Sequence, residues 1–222
     1  MSTKPNFNRA QNEATKLLLS QKISSLFIDV RKFSFDRKII IDSVQHYAHV
    51  LHRPISNFVC DEFSGCCVIP HPRCNLVLYD DRETNECRKH WGIVHEVGHV
   101  YLEHSVDDEK EEKEANFFAA QIVTPEIVLY GIRDRKGTLS KEDLLTYFNI
   151  SHVAAVKRIS TLNKRPCYNN SSIDKMLLSK FTPVLDRELC SSECRRKNSG
   201  TSLEWNAVIG NSGQSFITSI NK

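Results

Sequence analysis

The pentapeptide His95-Glu96-Val97-Gly98-His99 constrains this 222-residue chain more than any other feature. It sits inside a helical pattern that runs from Thr84 to Glu103, with Trp91, Val94, Gly98 and Leu102 on related turns. Thr84 is the expected N-cap, and Glu86 places a negative charge in the first turn, where the helix dipole favours it. On such a helix His95 and His99 stand about 40° apart on one face. Two imidazoles so placed can bind one Zn²⁺ ion at about 2.0–2.1 Å. Glu96 lies about 100° around from His95. It borders the site without filling a ligand position, which suits a general base acting on water.

A catalytic zinc takes three protein ligands and leaves a further position for water. The residues just after the motif do not supply the third. Leu102 and Ser105 stand where the longer pattern H-E-x-x-H-x-x-G-x-x-H requires Gly and His. His104 follows His95 by nine positions, about 180° around a continuous helix, so it reads as a surface or packing histidine. What remains is the acidic run at 107–114, DDEKEEKE, six acidic residues and two basic ones for a local charge of −4. Such a run is ordinarily a solvated helix face. This one leads directly into ANFFAAQIV (115–123), whose Ala115, Phe118, Ala119 and Ile122 define a buried face. The third ligand is expected from Glu109, Glu111, Glu112 or Glu114. Among these, Glu111 lies nearer the centre of that face than Glu114.

At this point the sequence resembles a known family. The zinc helix HEVGHVYLEH (95–104) and the block EKEANFFAAQIVTP (112–125) are similar to those of the ImmA/IrrE metallopeptidases. Glu114-Ala115-Asn116-Phe117-Phe118-Ala119 matches the family's E-A-N-x-F-A helix, Pro125 matches its closing proline, and CRKHWGIV (87–94) resembles its lead-in to the zinc helix. The specific likeness spans residues 87–125. It implies Glu114 as the third ligand beside His95 and His99, with Glu111 as the reserve, and Glu96 as the catalytic base. It also implies a cytoplasmic zinc endopeptidase whose protein substrate is a helix-turn-helix repressor of a phage or mobile element. The implied fold is α+β, a small sheet packed on a zincin-like helical core. The expected division is a core over 1–125, a helical extension over 126–165, and a helix plus tail over 166–222.

The rest of the chain adds organisation. Residues 9–20 and 37–52 read as helices, the latter through apolar positions 40, 41, 44, 47, 48 and 51. NFVCDEF (57–63), CCVIP (66–70) and NLVLYDD (75–81) read as three short strands. A helix is expected over 171–189, and SFITSI (215–220) as an edge strand. The stretch 139–164 resembles a helix-turn-helix pair. Residues 133–165 carry eight Lys/Arg against three Asp/Glu, a local +5, which admits direct nucleic-acid contact. The competing reading is therefore a DNA-binding transcriptional regulator with a structural or vestigial zinc.

Composition narrows the classes. No stretch approaches the roughly 18 apolar residues of a membrane span, and the N-terminus lacks the continuous apolar core of a secretory signal. Eight cysteines would suggest disulfides in a short secreted chain, but here they read as thiols in a reducing cytosol. Cys66-Cys67 reads as apolar filling of a strand. Cys167, Cys190 and Cys194, with His152, form at best an incomplete second zinc set.

Overall fold

Three consecutive isoleucines, Ile39-Ile40-Ile41, open the sheet rather than continuing a helix. The computed structural model describes residues 4–58, 66–71, 73–105, 108–164 and 171–190. In it the segment expected as one helix over 37–52 divides into strand β1 (Ile39–Ser43) and helix α2 (Val44–Val50). The β-branched run favours extended backbone. Ser43 then caps the helix by accepting a hydrogen bond from the His46 amide at 3.0 Å. β2 (Cys66–His71) and β3 (Cys74–Tyr79) form a hairpin, and β1 pairs parallel to β3 on its other side, so the order is β1-β3-β2. The strand expected at 57–63 lies mostly outside the described residues, and Ile55–Asn57 form a single 3-10 turn. The third strand is thus β1, upstream of that position.

The central strand β3 alternates. Leu76 and Leu78 face α2, where they cluster with Val44, while Val77 faces the main core on the opposite side. That second face packs against α3 (Glu86–Tyr101). Asn85, one residue later than the expected cap Thr84, starts α3 by accepting from the Arg88 amide. Ile93, Val94 and Val97 of α3 are fully buried.

α3 also packs on α4 (Glu109–Val123), and the contact is close because Gly98 has no side chain. A Cβ at Gly98 would stand 3.0 Å from Phe118 and 3.4 Å from the Ala115 backbone. The expected buried face of α4 is seen: Ala115, Phe118, Ala119 and Ile122 are fully enclosed. Burial of Phe118 or Ile122 stabilises the fold by about 1.5–3 kcal/mol each.

α1 (Phe7–Ser20) lies on α4 through Ala10, Ala14, Leu17 and Leu18. α5 (Glu126–Lys136) follows Pro125 and ends at Gly137, whose φ of 76° is the left-handed conformation usual after a helix. α6 (Lys141–Phe148) and α7 (His152–Asn163) pack on each other across Asn149, also left-handed, in the region read as a helix-turn-helix pair. A final helix, α8 (172–190), adds Phe181, Val184 and Leu185. One hydrophobic cluster runs from Ala10 to Leu189. The architecture is α+β, helices around a small mixed sheet. No single helix among the described residues is long and apolar enough to cross a membrane. The expected strand at 215–220 lies outside those residues.

Candidate metal centre

The i, i+4 spacing on α3 brings His95 and His99 together as its geometry requires. Their Nε2 atoms face each other at 3.0 Å. The third group at this point is Glu112, with Oε1 3.1 Å from His99 Nε2 and Oε2 3.3 Å from His95 Nε2. Among the described residues, one set of metal-capable side chains converges with every donor atom within 4.8 Å of the others, and it is His95, His99 and Glu112. Two imidazoles and a carboxylate form the donor set of His₂Glu catalytic zinc sites, so the residues fit the metal.

Glu114, expected in the third position, is placed elsewhere. At 100° per residue it stands about 200° around α4 from Glu112. Glu112 and Asn116, one turn apart, both line the cleft in front of the histidines. Glu114 is instead buried beneath them, where it accepts the Asn6 backbone N–H at 2.7 Å and meets His104 Nε2 at 3.1 Å. Glu109 forms an exposed ion pair with Lys113. Helical position thus separates Glu112 from Glu114, once the face turned towards α3 is known.

His104 also departs from expectation. The angle of about 180° assumed a continuous helix, but α3 ends at Tyr101. Glu103 takes φ 54°, and the His104 amide bonds back to the His99 carbonyl at 3.0 Å. This reversal returns the His104 ring beneath His99, with Nδ1 to Nδ1 at 3.1 Å. A non-glycine residue in the left-handed region costs about 1–2 kcal/mol. Ion pairs from Glu103 to Arg37 and Arg9 hold it there. The sequence offered no glycine to mark the turn.

Burial pushes both His95 and His99 below the ordinary imidazole value. At His95 the Glu112 carboxylate acts against that shift, whereas at His99 the neighbouring His95 ring adds to it. Both rings are therefore neutral at about pH 7, the form in which a ring nitrogen can bind metal. For Glu114, burial acts to raise the carboxyl, but the Asn6 amide, His104 and Lys110 outweigh it and hold the group below its ordinary range.

The histidines open into a cleft of about 960 Å³ whose lining includes Glu96, Trp91, Arg37, Cys66, Cys67 and Asn116. Glu96 is on the cleft wall next to His95, as its position on α3 requires. Among the described residues β2 lies at one edge of the sheet, and it contributes Cys66, Cys67 and Val68 to the cleft lining. Cys66 is buried with its Sγ 4.0 Å from the Lys89 carbonyl oxygen, and Cys67 is half-buried. The incomplete second zinc set does not assemble among the described residues: Cys190 is an exposed free thiol, and Cys167 and Cys194 lie outside them.

Comparison with known proteins supports the same part of the chain. No curated protein matches the sequence. A family model, Peptidase_M78, described as the IrrE N-terminal-like domain, matches residues 46–160, just over half of the chain. That span contains the sheet hairpin, α3 with both histidines, and α4 with Glu112. The chain belongs to the Peptidase_M78 (IrrE N-terminal-like) family, a metallopeptidase-type family of the ImmA/IrrE kind.

Proposed function

We propose that the protein is a zinc-dependent endopeptidase in which His95, His99 and Glu112 hold the metal and Glu96 is the catalytic base. The convergence of those three donors at a cleft that also contains Glu96 carries this reading. When bound, Zn²⁺ supplies Lewis acidity that polarises a scissile carbonyl and acidifies water. Glu96 then takes a proton from the attacking water and delivers it to the leaving amine. Trp91 and the β2 edge border the space that a substrate backbone would occupy.

The substrate proposed is a helix-turn-helix repressor of a phage or mobile element, cut in the cytoplasm to relieve repression. The family relationship supports peptidase activity, and the repressor is our reading of its substrate. The test is co-incubation of the purified chain with a repressor encoded beside its gene. Cleavage that requires added zinc, stops with chelator and is absent in Glu96→Gln is the expected result. Cleavage that persists in Glu96→Gln overturns the assignment. The regulator alternative predicts tight, salt-sensitive DNA binding without proteolysis.

A further inference from the structure

Behind the three donors runs a second line of groups, in which His104 borders the cleft and Glu114 is buried behind it. It runs from the Asn6 backbone N–H to the Glu114 carboxylate, then to the His104 ring, and ends at His99 Nδ1. The side chains of His104 and Glu114 are 5% and 4% exposed, so water does not supply alternative partners. His95 has no such support: its Nδ1 is buried and has no hydrogen-bond partner among the described residues.

We propose that Glu114 and His104 are positioning residues that set the tautomer and orientation of His99 for metal binding. This rests on the metal site proposed above. The direction of each hydrogen bond follows from what each group can do. A carboxylate only accepts, so Glu114 takes the Asn6 N–H on one oxygen and the His104 Nε2–H on the other. His104, with its proton on Nε2, offers Nδ1 as an acceptor. His99 must then donate from Nδ1–H, which leaves the lone pair on its Nε2 directed at His95 Nε2 and Glu112, where the metal would sit. Outer partners of this kind fix ring orientation, and their loss typically costs about 10–100-fold in metal affinity. The line also ties the cap of α1 to the site, since Asn6 is 108 positions from Glu114.

Glu114→Gln tests this with little change of shape. A glutamine has one accepting oxygen and one donating amide. It must either lose the Asn6 bond or donate to His104, which reverses every bond and puts the His99 proton on Nε2. The experiment measures two things on wild type, Glu114→Gln, His104→Asn and Glu112→Gln. One is ¹⁵N NMR of the histidine rings in the metal-free chain. The other is zinc affinity by competition with a chromogenic chelator. His104→Asn serves as a second variant because it removes the ring while leaving the Asn6 to Glu114 bond. Expected are an Nδ1–H tautomer at His99 in wild type, its loss in Glu114→Gln and His104→Asn, and about 10–100-fold weaker zinc binding in both. Glu112→Gln should keep the tautomer and lose more affinity than either. An unchanged His99 tautomer and zinc affinity in both Glu114→Gln and His104→Asn overturns the proposal. So does complete loss of zinc in Glu114→Gln with retention in Glu112→Gln, which makes Glu114 the ligand. Wild type without zinc affinity overturns the endopeptidase reading instead, and the ring tautomers then decide the relay on their own.

Discussion

The Glu112 carboxylate lies 3.1 Å from Nε2 of His99, reaching from the first turn of one helix to the last turn of another. The two groups are brought together only by the packing of α4 on α3. Removing the carboxylate while keeping the packing should therefore separate metal binding from folding. Glu112→Ala is expected to fold with wild-type circular dichroism but to lose the zinc-dependent rise in Tm. In wild type, zinc at 100 times its Kd should add about 2.7 kcal/mol. Thermal melts with and without zinc check both statements.

Glu96 borders the site without joining the donor set, so its loss should spare the metal. Glu96→Gln is expected to bind zinc like wild type while peptide cleavage falls by about 10²–10⁴-fold. Metal analysis of the purified variant, alongside a single-turnover cleavage assay, distinguishes this from a ligand role.

Gly98 stands in the contact between α3 and α4. A methyl group there meets Phe118 at 3.0 Å and the Ala115 backbone at 3.4 Å, and backbone has little freedom to move aside. Gly98→Ala is expected to destabilise the chain by about 1–3 kcal/mol despite the better helix propensity of alanine. It should also weaken zinc binding, because the same displacement draws Glu112 away from His99. Urea denaturation gives the first quantity and chelator competition the second.

Asp143 gives the fold an acid-sensitive element away from the site. It is buried at the start of α6, where it accepts from the Ser140 backbone at 2.9 Å and pairs with Lys136. Burial acts to raise its pKa, but Lys136 and Ser140 outweigh that and hold the group below its ordinary value. Stability from this carboxylate is thus fully present above the unfolded value of about 3.9 and is lost as pH falls through the lower folded value. Asp143→Asn should cost about 1–3 kcal/mol at about pH 7. The deficit should shrink as pH drops below about 4, which denaturant melts across that range would show.

The thiols divide by environment. Burial, reinforced by the nearby Glu96 charge, pushes the Cys66 thiol up to about 12, so little thiolate exists at neutral pH. Cys190 is exposed. Titration with a thiol reagent on the native chain should label Cys190 rapidly and Cys66 only after denaturation. Mass spectrometry of the labelled peptides assigns the sites.

Much of the centre was legible from local spacing alone. The period of 3.6 residues puts His95 and His99 on one face, sets Glu96 beside them, and marks Ala115, Phe118, Ala119 and Ile122 as the buried side of α4. These follow from positions four or fewer apart, or from regular repeats of them, and need no knowledge of the partner element. Strand β1 was not legible in this way. Its isoleucines fit one helical face as well as a strand, and the choice between them depends on pairing with β3, more than thirty residues later.

The same division runs through the site. The sequence by itself determined that His95 and His99 share one face with Glu96 beside them, and which pool of acidic residues could meet them. Tertiary structure decided which of those residues meets them, because that depends on how α4 is turned against α3 across Gly98. It also decided the place of His104, because a left-handed Glu103, held by Arg37 and Arg9 from distant segments, ends the helix and folds the chain back under His99. Local periodicity specifies which side chains share a face, whereas long-range packing specifies what that face meets.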